Sequence, residues 1–309
     1  MKVLFVSSGN KKNGISIIVK NQGESLKKLN IDVEYFSIKG RGFIGYLRNI
    51  FLLRKFFKKK DYDIVHSHYS LSSYVASLAG AKNQVVSLMG SDVQKRFFGC
   101  IILKLFYCIF WKSLILKSNS MKERVGIKKC FIIPNGVDFE KFKEIDKKIA
   151  KEKINFNLQK KHIIFVANPD RYEKNFNLAK EAFDLLDDKS VELNVICEVP
   201  YEMILYYMNA ADVLLLTSLW EGSPNVIKEA MACNCPIVST DVGDVKEVIK
   251  NTEGCYITTF EPEDVARKIV KALESGKRTH GRDNIKHLDS KIIAEKMKNL
   301  YERILRQKC

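Results

Sequence analysis

The sequence predicts an α/β chain built from two doubly wound parallel sheets, each a Rossmann-like domain. Short unbroken apolar runs such as Val213 to Leu216 recur along it, as expected of parallel strands covered on both faces. They alternate with amphipathic stretches of helical period, the repeat of βα units. A length of 309 residues with 46% hydrophobic side chains exceeds one average domain and fits two of about 150. The halves are therefore assigned as 1–150 and 151–309.

Lys2 to Ser7 reads as the first buried strand, and Met1 to Val6 is too short an apolar run for a signal peptide. The loop from Ser8 leads through Lys11, Lys12 and Gly14 into a helix from about Ile15 to Leu29. Gly14 permits close approach of a ligand to that helix start, and the lysines add positive charge. Ile31 to Phe36 is a second strand and Gly40-Arg41-Gly42 a turn. Residues 43–60 form a basic amphipathic helix, with Phe, Leu and Ile on one side and Lys and Arg on the other. Two readings are open: a helix lying in a membrane interface, or a sheet-covering helix with a basic solvent face. Residues 96–116, from Arg96-Phe97-Phe98 through the apolar run Ile101 to Leu116, add to the membrane reading. Lys104 and Lys112 interrupt that run, which also falls short of the roughly 20 residues of a membrane span.

Asp63-Ile64-Val65-His66-Ser67-His68 is a strand ending in His-x-His. Alternate strand residues share a face, so a metal could be held. No carboxylate or thiol cluster joins the pair, however, and structural or substrate-pocket roles are favoured over metal. Val85 to Val93 carries Met89, Gly90 and Asp92. Asn135-Gly136, within Ile133 to Asp138, is a turn dipeptide closing the first half. Phe139 to Gln159 is charged and reads as a linker with a short helix.

The second half opens with a strand at His162 to Ala167, followed by Asn168-Pro169-Asp170-Arg171-Tyr172-Glu173-Lys174 and a helix through Leu186. Arg171 and Lys174, at a strand end ahead of a helix, can neutralise a diphosphate leaving group. Further strands are read at Val191 to Ile196, Val213 to Leu216, Ile237 to Ser239 and Cys255 to Thr258. Between the second and third of these lies Leu219-Trp220-Glu221-Gly222-Ser223-Pro224-Asn225-Val226-Ile227-Lys228-Glu229. Ser223 is placed as N-cap and Pro224 at the first helical position. The N–H groups of Asn225 and Val226 would then face the carboxyl edge of the sheet, making an anion site. Glu221 precedes it, and Glu229 stands roughly 7 to 8 Å along the axis at about 1.5 Å per residue. A nucleotide sugar matches that layout: diphosphate in the middle, hydroxyl-bearing rings at both ends, carboxylates accepting from paired hydroxyls. Ile292 to Leu305 is a last amphipathic helix.

The formal charge of +16 calls for an anionic partner, whether nucleotide, nucleic acid or acidic lipid surface. No nucleic-acid-binding signature is present. The eight cysteines include no C-x2-C pair and read as reduced thiols of a cytoplasmic protein.

The Glu221-x7-Glu229 pair, with its Gly-x-Pro turn, the Glu229-Ala230-Met231-Ala232 helix and the strand Pro236 to Thr240, resembles the signature of the retaining glycosyltransferases of family 4, which have the GT-B fold. The resemblance implies that the two domains face across a cleft. It also implies that Glu221 contacts the donor sugar, Glu229 contacts the ribose, and Gly222 to Val226 line the donor site. Lys174 matches the family's cation directly, whereas Asn168 stands where the family's arginine usually lies, leaving that role to Arg171. Gly14, Asn135 and Gly136 fall on loops that border the donor. Asp63 to His68 and Val85 to Val93 resemble acceptor-side motifs, with Met89 in place of a common histidine; His68 and Asp92 become the acceptor-side contacts. The last helix is implied to return to the first domain. The activity implied is transfer of a sugar from a nucleotide-sugar donor to a glycan or lipid-linked acceptor in envelope polysaccharide or glycolipid synthesis. It uses no cofactor or metal, on the inner face of the membrane. A nucleotide-sugar-binding protein or epimerase of the same fold is the alternative, with a basic nucleic-acid-binding protein behind it.

Overall fold

A computed structural model describes residues 1–10, 14–40, 42–93 and 97–307. Lys11, Lys12, Arg41 and Arg96 lie outside the described residues. The chain divides into two compact units, one formed by Met1–Gly136 with Ser290–Cys309, the other by Val137–Asp289. The division falls at Gly136 rather than at 150. The segment read as a linker is tied into the second unit: Arg282 donates to the carbonyls of Phe139 and Phe142, and Asn209 to that of Lys143.

Unit 1 runs β1 (Lys2–Ser8), α1 (Ile17–Lys27), β2 (Asp32–Ile38), α2 (Gly42–Lys59), β3 (Ile64–His68), α3 (Ser70–Ala79), β4 (Gln84–Ser87), α4 (Phe97–Phe110), β5 (Trp111–Leu116), α5 (Asn119–Val125) and β6 (Phe131–Ile132). The apolar stretch to Leu116 is thus a helix and a strand in succession. All six strands are parallel, in the order β2-β1-β3-β4-β5-β6. Leu4, Val6, Leu53, Val65 and Val75 form one core cluster and Val86, Leu103, Leu114 and Leu116 belong to another. Local signals end the helices as the residue types dictate: Ser118 caps α5 by accepting from the Met121 N–H, and Gly80 closes α3 at φ +93°, a backbone region that costs glycine nothing.

Unit 2 runs α6 (Lys147–Lys153), β7 (Lys161–Phe165), α7 (Phe176–Asp184), β8 (Val191–Val195), α8 (Ile204–Ala210), β9 (Val213–Leu216), α9 (Asn225–Ala232), β10 (Ile237–Thr240), α10 (Val245–Val248), β11 (Cys255–Thr258), α11 (Pro262–Ser275) and α12 (Gly281–Asn284). Its five strands are parallel, ordered β11-β10-β9-β7-β8. Ile163, Phe165, Leu178, Val213, Leu215 and Ile269 sit in its core. The last helix, α13 (Ser290–Arg306), belongs to unit 1 and packs on α1.

Both sheets reverse direction once. In unit 1 the chain leaves β1 for β2 on one side and returns to β3 on the other; in unit 2 it leaves β7 for β8 and returns to β9. At such a point the loops leaving two adjacent strands diverge and open a crevice at the carboxyl edge.

Candidate active site

In unit 2 the diverging loops are those after β7 and β9, and they bring two opposite charges together. The loop after β7 ends in a 3-10 turn, Tyr172–Lys174, which directs the Lys174 ammonium at Glu221, with Nζ 2.5 Å from Oε1. The Ser218 hydroxyl donates to the same carboxylate oxygen at 3.0 Å. Both partners are mostly buried, with 16% and 17% of their side chains exposed, so their attraction is less screened than that of a surface pair. Backbone ties hold the loops in register: the Leu219 N–H donates to the Glu173 carbonyl, and Thr217 Oγ1 to the Asn175 carbonyl.

Arg171 is not drawn into this cluster. Its guanidinium pairs with Glu173 on the same turn and is more than half exposed.

The loop after β9 is also pinned to the loop after β10. Thr240 Oγ1 donates to the Ser218 carbonyl at 2.7 Å. Gly243 has φ +64°, and a Cβ there would lie 2.9 Å from the Gly222 oxygen, so only glycine permits the two backbones to touch. Ser223 departs from its expected role. Helix α9 begins at Asn225 with Pro224 at the N-cap position and no side-chain cap; the Ser223 hydroxyl instead donates to Asp244 Oδ2 at 2.6 Å and accepts from Lys228. A proline in the capping position donates no N–H, and the backbone N–H groups of the first helical turn point along the axis towards the loop.

Glu229 lies on the same helix, 6% exposed. Burial pushes its carboxyl up to about 7, opposed by the Tyr201 hydroxyl, which donates to Oε1 at 2.7 Å, and by Lys141 and Lys228. Lys141 Nζ stands 4.0 Å from the centroid of the Tyr201 ring. A buried carboxylate approached by a phenol and a cation can accept from ligand hydroxyls. Lys141, Lys228 and Asp244 were not singled out by sequence reasoning. Only Lys228 carries a signal, as a charged residue within a helix whose residues 227–232 are all buried.

At the switch of unit 1 the chemistry is different. His66 and His68 stack with centroids 4.3 Å apart, and Phe5 packs edge-on against both. His66 is satisfied at both nitrogens, Nδ1 by the Tyr301 hydroxyl of α13 at 2.5 Å and Nε2 by Ser87 Oγ at 2.8 Å. Among the described residues, His68 Nε2 and the hydroxyls of Ser7 and Ser70 are buried without a hydrogen-bond partner. Burial, with the Lys117 cation nearby, lowers the His68 imidazole to about 3. Asp92 accepts from the N–H groups of Ser70, Met89 and Gly90 and so fastens the start of α3 to the loop after β4; burial raises its carboxyl to about 6. Gly14 adopts φ +72° with open space where a side chain would stand, whereas Gly136 is crowded, its Cβ position only 2.6 Å from the Ser290 Cα. Asn135 is buried beside it. Unit 2 therefore gathers Lys174, Glu221, Gly222, Ser223, Pro224, Asn225, Val226 and Glu229, and unit 1 holds Gly14, His68, Asp92, Asn135 and Gly136.

Two parallel α/β units, one with a cation–carboxylate pair at its switch point, define a GT-B architecture. Among solved structures, sucrose-phosphate synthase from Thermosynechococcus elongatus superposes with a TM-score of 0.84 at 15% identity, covering 99% of both chains. Family models for the group 1 glycosyl transferases and the glycosyl transferase 4-like proteins match residues 189–287 and 6–117, together more than half of the chain. The chain belongs to this glycosyltransferase family. Among curated relatives, the UDP-Gal:alpha-D-GlcNAc-diphosphoundecaprenol alpha-1,3-galactosyltransferase of Escherichia coli is 25% identical over 86% of this chain and 81% of its own length. The N,N'-diacetylbacillosaminyl-diphospho-undecaprenol alpha-1,3-N-acetylgalactosaminyltransferase of Campylobacter jejuni is 26% identical over 64% of this chain, which spans 58% of that relative.

Proposed function

We propose that this glycosyltransferase moves a sugar from a uridine-diphosphate sugar to a hydroxyl of a glycan carried on a polyprenol diphosphate, with retention of anomeric configuration and without a divalent metal. The observation that carries the reading is Glu221, held between Lys174 and Ser218 at the switch point of unit 2. The names of the relatives support the acceptor class, and that of the Escherichia coli relative the donor. The diphosphate lies against the start of α9, Glu221 accepts from hydroxyls of the transferred sugar, and Glu229 accepts from the ribose. The bond from C1 to the phosphate oxygen breaks while the acceptor oxygen bonds to C1 on the same face. The acceptor proton passes to the departing phosphate oxygen. Lys174 and the N–H groups of α9 offset the charge growing on that diphosphate. Arg171 is held by Glu173, which leaves Lys174 as the principal cation.

The acceptor class implies a membrane surface, and unit 1 has the chemistry for one. Helix α2 covers the sheet through buried Leu53 and through Ile50 and Phe56, which pack on the core, while Ile44, Leu47, Phe51 and Leu52 remain exposed. It contains Arg48, Arg54, Lys55, Lys58 and Lys59 and no acidic residue. Ile101, Leu105, Ile109 and Phe110 of α4 are exposed as well. Apolar side chains beside lysine and arginine match an anionic interface, and among the described residues no helix is long and apolar enough to cross the membrane.

The test is UDP release from UDP-galactose, UDP-glucose and UDP-N-acetylglucosamine, with and without a polyprenol-diphosphate-linked sugar, on wild type and E221A. Acceptor-dependent release, an α-linked product by NMR and indifference to EDTA are expected of wild type, and loss of both release and product in E221A. Release that ignores the acceptor, or an inverted product, would overturn the reading. Co-sedimentation with phosphatidylglycerol vesicles, weakened by F51D and I109D, tests the membrane surface.

A further inference from the structure

The Lys228 side chain is only 1% exposed, an unusual place for an ammonium group. Its Nζ donates to Ser223 Oγ and stands 3.4 Å from Asp244 Oδ2. Desolvation pulls its pKa down, and Asp244 opposes that pull. Asp244 is itself 6% exposed, and its other oxygen, Oδ1, is buried with no hydrogen-bond partner among the described residues. Its carboxylate therefore depends on Lys228 and the Ser223 hydroxyl.

A buried ion pair is weak evidence for stability, because well-packed apolar residues of similar volume commonly do as well. What distinguishes this one is its location. Ser223 lies two residues after Glu221, and Lys228 one residue before Glu229. Asp244 follows the glycine whose backbone touches Gly222. Ser223 caps nothing, so its hydroxyl serves as the link between cation and carboxylate. We propose that Lys228 is a positioning residue for the donor: through Ser223 and Asp244 it fixes the Glu221–Pro224 loop and the amides that follow it. The inference rests on the donor site proposed above.

The experiment pairs K228M with the double variant K228M/D244L and with S223A, alongside E221A. K228M alone strands a buried carboxylate and is expected to lower the melting temperature. The double variant removes both charges and is expected to melt near wild type. If Lys228 positions the donor loop, the double variant still shows a donor KM raised about tenfold or more, in line with the sensitivity of catalysis to small misplacements, with acceptor KM unchanged. S223A removes only the link and raises donor KM in the same direction, which decides the matter should the double variant fail to fold. Wild-type donor KM and kcat in a folded double variant, or in S223A, would overturn the proposal. Full turnover in E221A would instead overturn the donor site itself, so the two failures are distinguishable.

Discussion

The two units share a topology and differ in what they place at the equivalent point. At the switch of unit 2 a lysine and a glutamate meet at 2.5 Å and stay partly open to solvent. At the switch of unit 1, two neutral imidazoles stack behind Phe5, with His68 Nε2 and two serine hydroxyls buried and unpartnered. A pair of opposite charges is suited to a ligand that is anionic and rich in hydroxyls, because it presents a cation and an acceptor already oriented. Buried neutral donors and acceptors suit hydroxyl groups and repel net charge through desolvation. The same fold thus carries a cation–carboxylate pair at one switch point and buried neutral polar groups at the other, and fold alone would not have told them apart.

The strongest way to break this contrast is Glu221→Ala. It should lower kcat/KM by roughly 10²–10³ with an intact circular dichroism spectrum; a loss of only a few-fold would leave unit 2 without its special status. Lys174→Met comes next, expected to lower kcat by about 10² while changing donor KM less, because the charge it meets develops during departure of the diphosphate. Glu229→Gln should raise donor KM about tenfold. In wild type, the carboxyl pushed up to about 7 must lose its proton to accept fully, so donor KM should fall as pH rises through 7, and the glutamine variant should lack that dependence. In unit 1, His68→Ala should raise acceptor KM a few-fold, about 1 kcal/mol for one neutral hydrogen bond, and leave donor KM alone. A donor effect equal to that of Glu229→Gln would erase the comparison.

Acid gives a smaller and opposite effect in the two halves. The imidazoles of His66 and His68 are held neutral by burial, so as pH falls below about 6.5 the unfolded chain takes up protons that the folded unit 1 refuses, and stability is lost. Asp92, raised to about 6, offsets part of that. Glu229 binds its proton more tightly folded than unfolded and so stabilises unit 2 as pH falls from 7 towards 4.5, offset in part by His162 of β7, whose imidazole burial lowers. Amide exchange at pH 5.5 and 7.5, corrected for intrinsic rates, should show β1 and β3 losing protection relative to β9.

The strand–helix alternation was legible because each element rests on a run of neighbouring residues, and the Glu221 and Lys174 that the structure pairs were named from local motifs. The domain boundary was not, because Phe139 to Ile145 is claimed by partners more than sixty residues away, Asn209 and Arg282. Ser223 looked like a cap because Ser-Pro before an apolar run is a helix-start signal; the structure gives its hydroxyl a better partner in Asp244, 21 residues on. Arg171 was placed by analogy of loop position, and a glutamate two residues away decided otherwise. Glu229 could equally have read as a solvated helix residue, and its burial depends on Tyr201 and Lys141, which no local pattern connects to it.

Helix α13 carries a consequence for how the molecule is made. Unit 1 contributes the first 136 residues, yet the hydroxyl that satisfies His66 Nδ1 belongs to Tyr301. A ribosome delivers that tyrosine only after all of Val137–Asp289. The amino-terminal unit therefore waits, one buried nitrogen short, until the whole of the other unit has been synthesised, and a nascent chain that stops before Tyr301 carries its defect on β3.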